Sequence, residues 1–291
     1  MIVDFHVHST ASDGTLPPAK LVAEAAGRGF AGLALTDHDN GEGLAEFAAA
    51  GLALGVKTVA GIELSIEPGA GFDKFHLLGL GIDPANDGLR AFLKRVLAGR
   101  NARNERIIAN FRRLGIEMEA VSPAAIHTYS HGEVLARPHF ARWLVDHGWA
   151  KDIKEAFARY LLPESPAATR CYEERYHPSQ EEAIGVVHAA GGLAVMAHPK
   201  YWRRDWQDIG CDFAAAEREL AALKEKGLDG VEALYQANTV EENVEFTRLA
   251  TRLGYLKTAG SDFHGANKPT IPLGMEVEAS FIAPILERLW K

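Results

Sequence analysis

Cysteine is almost absent: the 291-residue chain has two, Cys171 and Cys211, and neither stands in a C-x-x-C pair. A thiolate metal site or a disulfide framework is therefore not expected, and both read as plain thiols. No apolar run reaches the ~18 residues that a membrane-spanning helix needs. No basic segment leads into an apolar one at the start, where a strand pattern begins at once, so a soluble, cytoplasmic protein without membrane contact is expected. Basic charge is also short: 31 Lys and Arg face 39 Asp and Glu, for a net charge of -8. That balance argues against a broad surface for long nucleic acid. A small phosphorylated ligand stays compatible, because bound metal reverses the sign inside a pocket. Several hydrolase signatures are missing as well. There is no P-loop, no G-x-S-x-G and no H-E-x-x-H. Cys171 is followed six residues on by His177, not by the Arg of a cysteine phosphatase loop.

What is present is ample apolar material, 47% of residues, and a rhythm. "IVDFHVH" at 2–8 alternates, which predicts one face for Asp4, His6 and His8 and the other for Val3, Phe5 and Val7. A helix follows, opened by Pro17 and Pro18 and closed at Gly27 or Gly29. "AGLALTDHDN" reads as a buried strand, "EGLAEFAAAGLALG" as a helix and "KTVAGIELS" as a third strand. This βαβαβ run implies a parallel sheet with helices outside. "DKFHLLGLGID" is a fourth strand, but "IEPGAG" is too short to hold a crossover helix, so the barrel is expected to be irregular there. From about residue 85 only helical patterns appear until "GGLAVMAHP" at 191–199. The expected division is a barrel over 1–99, a helical insertion subdomain over 100–175 at the carboxyl end of a strand, and barrel again over 176–291. In the last part, helix 213–226 leads to strand "DGVEALY", and helix 240–253 leads to strand "LKTAGSDFHG".

The strand ends share a rule. "FHVH", "TDHD", "GIELS", "FHLLG", "MAHPK" and "SDFHG" each bring His, Asp or Glu to or near a carboxyl end. In an α/β barrel those ends converge on one mouth. Burying so many ionisable groups without counter-charge costs several kcal/mol each. Divalent metals supply that charge, and nine candidate ligands exceed what one ion can use, so two or three ions are expected. Imidazoles mixed with carboxylates, without thiolate, suit Mn, Fe or Zn better than Ca or Mg. Closely spaced ions clamp the attacking and leaving oxygens of a phosphoryl group. Asp4 and Asp37 are expected to orient imidazoles from behind, or to pair within the barrel.

"HVHSTASDG", "TDHD", "GIE", "AHP" and "SDFH" together resemble the four signature motifs of the PHP (polymerase and histidinol phosphatase) family of metal-dependent phosphoesterases. The resemblance spans both halves of the barrel, two-thirds of the chain. It implies a distorted (β/α)7 barrel with an inserted helical subdomain and a trinuclear site, manganese foremost. It also implies that His6, His8, Glu63 and Asp262 hold the first metal and Asp13, His38 and His264 the second. His76 and His198 hold the third, with Glu63 bridging the first and third.

"EVLARPHFARWL" resembles the segment of stand-alone members that act on nucleoside 3',5'-bisphosphates and short RNA ends. On that reading Arg137, His139 and Lys200 are catalytic and bind substrate phosphate, with Asp13, His38 and Trp202 also touching the substrate. The alternative for Arg137 is capping of a local helix or pairing with Glu133. In "KYWRRDW", Tyr201, Trp202 and Trp206 form either a stacking wall for a nucleobase or an apolar patch that packs the loop. Arg100, Arg103, Arg106 and Arg113 read as a solvated helix face. The expected activity is removal of the 3'-phosphate of a nucleoside bisphosphate by a hydroxide held on the metals. A 5'-3' exonuclease on short RNA or DNA, a histidinol phosphatase and a non-catalytic metal or nucleic-acid module are the alternatives. No protein partner is indicated.

Overall fold

One sheet of eight strands organises the molecule, in the order β7-β6-β5-β4-β3-β2-β1-β8. The strands are β1 (Ile2–Val7), β2 (Phe30–Leu35), β3 (Thr58–Ile66), β4 (Phe75–Leu80), β5 (Leu193–Met196), β6 (Gly230–Tyr235), β7 (Leu256–Gly260) and β8 (Met275–Glu276). The computed structural model describes residues 1–69, 72–73, 75–118, 135–203 and 205–290. The sheet curls until the chain after β7 meets β1: Val7 bridges to Phe263, and the Asp262 N–H donates to the His6 carbonyl at 2.8 Å. β8, which the sequence pattern did not reveal, pairs antiparallel with the start of β1.

β4 is the irregular strand, antiparallel to both β3 and β5. Its reversal explains how His76, at its beginning rather than its end, reaches the same mouth as the carboxyl ends of the parallel strands. Strict alternation in β1 also fails. The register shifts between Asp4 and Val7. Val3 and Phe5 pack with Ala34, Val59, Leu78, Val195 and Ala259, an inner cluster floored by Ile282 and Ile285. Val7 instead joins the outer cluster under the helices. The irregularity turns Phe5 and His6 to the same inner side, a device that re-aims a side chain next to a site.

Outside the sheet lie α1 (Pro18–Ala26), α2 (Leu44–Leu54) and α3 (Asp87–Arg113). α4 (Arg137–Asp146) and α5 (Ile153–Ala156, extended by a π-helical turn to Leu161) follow, then α6 (Gln180–Ala189) and α7 (Trp206–Ile209). The rest are α8 (Phe213–Glu225), α9 (Val240–Arg252) and α10 (Ala279–Leu289). None among the described residues is long and apolar enough to cross a membrane.

α3 decides where the insertion sits. Because β4 runs backwards, it ends at the floor of the barrel. The Asn86 side chain caps α3 there by accepting from the Leu89 N–H at 2.9 Å. Twenty-seven residues at 1.5 Å each then carry the chain about 40 Å back toward the mouth. The first half packs Leu89, Phe92 and Val96 on the barrel. The second half gives Ile107 and Phe111 to a separate core with Phe140, Trp143, Leu144 and Tyr160. The helix crosses residues 99 and 100 unbroken.

Candidate active site

Glu63, near the end of β3, is the hub. Its Oε2 faces His38 Nδ1 at 3.0 Å, His8 Nε2 at 3.1 Å and His6 Nε2 at 3.3 Å. Its Oε1 faces His76 Nδ1 at 2.5 Å and His198 Nε2 at 3.0 Å. Each oxygen thus addresses a different set of imidazoles. Asp262 Oδ1 lies 3.3 Å from His8 Nε2 and 3.4 Å from His264 Nδ1. Asp13 joins His264 at 3.3 Å and His38 at 3.8 Å. Three groups bring their ligand atoms within 4.8 Å of one another: His6, His8, Glu63 and Asp262; His8, Asp13, His38 and His264; and His38, Glu63 and His76. His198 stands beside the third group, against Glu63.

The residues fit metal ions. His6 Nε2, His8 Nε2, His38 Nδ1 and Glu63 Oε2 are buried and lack a hydrogen-bond partner, yet they converge. Buried polar atoms are nearly always satisfied, and a cation among them would satisfy all four. Burial opposes charge on Glu63, but His38, His76 and His6 hold its carboxyl well below the usual range. The backbone is also unusual here. Asp39, His198 and Asp262 all adopt positive φ, at 52°, 25° and 58°, and such conformations cluster at functional sites.

The surrounding support differs from the sequence reading. Asp4 and Asp37 do not orient imidazoles. Asp4 accepts from the Ser261 N–H and hydroxyl and from the Gly274 N–H. Asp37 accepts from Ser9 and Ser12. Both fasten loops. The residue behind an imidazole is Glu232 of β6, which the sequence did not single out. Its Oε1 is 3.0 Å from His6 Nδ1, and its Oε2 accepts from the His198 N–H at 2.7 Å. Gly260 makes room for it: a Cβ there would lie 2.1 Å from Glu232 Oε1. Asp262 Oδ2 is held by Tyr235 at 2.9 Å and Lys268 at 2.5 Å, leaving Oδ1 toward the imidazoles.

Beside this cluster the insertion assembles arginines. Arg100 and Arg103 are 4% exposed, so the expectation of a solvated face fails for both. They continue the buried stripe of α3 where it passes between the two cores. Arg106 and Arg113 do face solvent, bonded to Glu173 and Asn110. Arg175, on the segment returning from the insertion, joins Arg100 on the Asp39 carboxylate. Burial first, then Arg100, Arg175 and Arg137, push the Arg103 pKa down, which places four guanidinium groups in one neighbourhood. Among the described residues only Asn104 accepts from Arg103, at 2.9 Å, and no carboxylate pairs with it. A guanidinium keeps its proton in such surroundings, so Arg103 brings a positive charge that no carboxylate among the described residues pairs with.

Arg137 opens α4, donates to the Leu161 carbonyl at 3.2 Å and lies over the Tyr172 ring; Glu133, its alternative partner, lies outside the described residues. His139 is buried, and its Nδ1 accepts from the Ala136 N–H at 2.9 Å, so the ring proton sits on Nε2. Burial lowers its pKa, with Asp13 raising it and Arg100 lowering it further. Lys200 is bound elsewhere, to Glu242 and the Ala237 carbonyl, both at 2.8 Å. Trp202 is 1% exposed and stacks on Phe75. It and Trp206 belong to the core, so Trp202 is not a substrate wall; the half-buried Tyr201 ring, 5.6 Å from His198, lies nearest the cluster.

The profile of the PHP domain matches residues 4–161, more than half of the chain. The chain belongs to the PHP family. Over 99% of its length this PHP protein is 35% identical to a 3',5'-nucleoside bisphosphate phosphatase of Chromobacterium violaceum, covering 95% of that protein. A 5'-3' exoribonuclease of Haemophilus influenzae is 32% identical over 90% of the chain and 89% of its own. A Bifidobacterium adolescentis structure named as a metal-dependent phosphoesterase superposes with a TM-score of 0.78 at 29% identity, over 98% of this chain and 96% of that one. With the ligand cluster at its mouth, this PHP barrel is a metal-dependent hydrolase of phosphate esters.

Proposed function

We propose that the substrate is a nucleoside 3',5'-bisphosphate and that the 3'-phosphate is hydrolysed, leaving a nucleoside 5'-monophosphate and phosphate. One observation carries this reading. Asp39, the neighbour of His38, joins the metal-ligand cluster to the guanidinium groups of Arg100 and Arg175, with Arg103 and Arg137 near them, and we read this group as a second anion site. A substrate with two phosphates uses both; one with a single phosphate leaves the arginines without a role. The relationship to the Chromobacterium violaceum phosphatase supports the same substrate class.

On this reading His6, His8, Glu63 and Asp262 hold one ion and Asp13, His38 and His264 a second. His76 and His198 hold a third with Glu63, and manganese suits the donor set, with iron or zinc as substitutes. Bound divalent ions supply Lewis acidity and lower the pKa of water. The rest falls to the chain. Glu232 fixes His6 so that Nε2 faces inward. Tyr235 and Lys268 hold Asp262. The arginine forks grip the 5'-phosphate and set the distance to the scissile group. His139 offers the proton on Nε2 to a phosphate or leaving oxygen.

A second reading uses the same pieces. A 5'-terminal phosphate on the arginines would place the next phosphodiester of a short RNA or DNA at the ligand cluster, consistent with the exoribonuclease relative. The test compares kcat/KM, with Mn²⁺, for adenosine 3',5'-bisphosphate, adenosine 3'-monophosphate, 5'-phosphorylated trinucleotide RNA and histidinol phosphate. The bisphosphate is expected to lead. Equal rates on both adenosine substrates, or a lead for histidinol phosphate, would refute the reading.

A further inference from the structure

Asp39 presents a contradiction. It follows His38 at the end of β2, is 2% exposed, and belongs to none of the three ligand groups. Its carboxylate lies among the arginines, where it subtracts charge from a pocket suited to an anion. Removing it would make the pocket more positive. On charge alone, anions would then bind more tightly.

Its bonds suggest another role. The Asp39 N–H donates to the Glu63 carbonyl at 2.9 Å. Its Oδ1 accepts from the Ser65 N–H at 3.1 Å. Its Oδ2 accepts from Arg175 Nη1 at 2.9 Å and from Arg100 Nη2. One side chain thereby joins the ends of β2 and β3, the middle of α3 and the segment returning from the insertion. Among the described residues no other carboxylate pairs with Arg100 or Arg175. Arg100 Nε remains buried without a partner. A donor in that state points to an acceptor that arrives with the ligand. The positive φ of Asp39 shows a backbone held by its surroundings in a sparsely populated conformation.

We propose that Asp39 is a positioning residue for specificity: its carboxylate fixes the guanidinium groups of Arg100 and Arg175 at a set distance from the metal-ligand cluster, so that they receive the second phosphate of the substrate. The inference rests on the proposed bisphosphate reading. Position and charge predict opposite outcomes for Asp39→Asn, which keeps the shape and removes the charge. Positional control predicts weaker binding of a 5'-phosphate although the pocket has become more positive.

The experiment measures the ratio of kcat/KM for adenosine 3',5'-bisphosphate to that for adenosine 3'-monophosphate, the Kd of adenosine 5'-monophosphate by calorimetry, and metal content. In Asp39→Asn the ratio is expected to fall about 10-fold or more, the scale of one charged hydrogen bond. The fall should appear in KM rather than kcat, with Kd rising in parallel and metal content unchanged. Asp39→Glu should recover part of the loss. An unchanged or tighter Kd in Asp39→Asn overturns the proposal, and so does a loss that tracks lost metal. If Asp39→Asn does not fold, Arg100→Lys and Arg175→Lys replace it. These keep the charge and lose the fork, and a wild-type ratio in both overturns the proposal. A wild-type enzyme without preference for the bisphosphate refutes the functional reading instead, and is recognised without any variant.

Discussion

Glu232 Oε1 holds His6 Nδ1 at 3.0 Å, and both side chains are fully buried. The bond leaves Nε2 of His6 as the atom that faces Glu63 and Asp262. A carboxylate behind a ligating imidazole fixes its tautomer and raises its basicity, and losing such a partner typically costs 10–100-fold in metal affinity. Glu232→Ala should show a loss of about that size in chelator competition. Wild-type affinity in that variant would mean that His6 does not depend on Glu232 for its orientation.

Glu63 has an oxygen toward each set of imidazoles. Glu63→Gln keeps the shape and removes the shared charge. Turnover should fall by about 10² or more, since metal stabilisation of phosphoryl transfer is worth several kcal/mol. Elemental analysis after Mn²⁺ loading should give more than two equivalents for wild type and fewer for the variant. A single ion in the saturated wild-type protein would sink the trinuclear proposal.

Arg103 has no carboxylate partner among the described residues, so its charge is available to a ligand. A hydrogen bond to a charged group is worth about 1.5–3 kcal/mol. Arg103→Met and Arg137→Ala should each lower kcat/KM for adenosine 3',5'-bisphosphate roughly 10- to 150-fold more than for adenosine 3'-monophosphate. Equal losses on both substrates would assign these arginines to the reacting phosphate or to the fold.

His177 supplies a pH test away from the ligands. Burial, then Arg175 beside it, push its pKa from 6.5 down to about 4. Between those values the unfolded chain takes up a proton that the folded chain refuses. Stability therefore rises with pH across that window and levels off above 6.5. Metal-free His177→Gln should show a shallower change of Tm with pH between 4 and 6.5 than wild type. Parallel curves would show that His177 titrates normally.

The convergence of these side chains was legible because a strand that ends in His, Asp or Glu violates core composition, and six such strands violate it together. Glu232 was not. It sits inside "DGVEALY", where one carboxylate in a strand looks like a position facing water; here its neighbours Val231 and Ala233 take the face under the helices, and the bare Cα of Gly260 leaves room for it beside His6. Arg100 and Arg103 were misread because a long side chain on an amphipathic helix usually carries its head into water. Here the insertion builds a second core beyond them, so the same stripe stays buried. Arg175 lies in an irregular segment without periodicity. The aromatic run after His198 could face ligand or core, and the choice fell to Phe72 and Phe75, which stand far from Trp202 in sequence.

α3 has a mechanical consequence. It is rooted at the floor of the barrel and delivers Arg103 about 24 Å along its axis, at 1.5 Å per residue. Such a rod is a lever. Tilting it by about 5° at the root would carry the guanidinium group about 2 Å sideways over that length, enough to break a hydrogen bond. Substitutions near Leu89 or Phe92, remote from every reacting atom, should therefore change which phosphate spacing the enzyme accepts, so that selectivity can be tuned from the far end of the barrel.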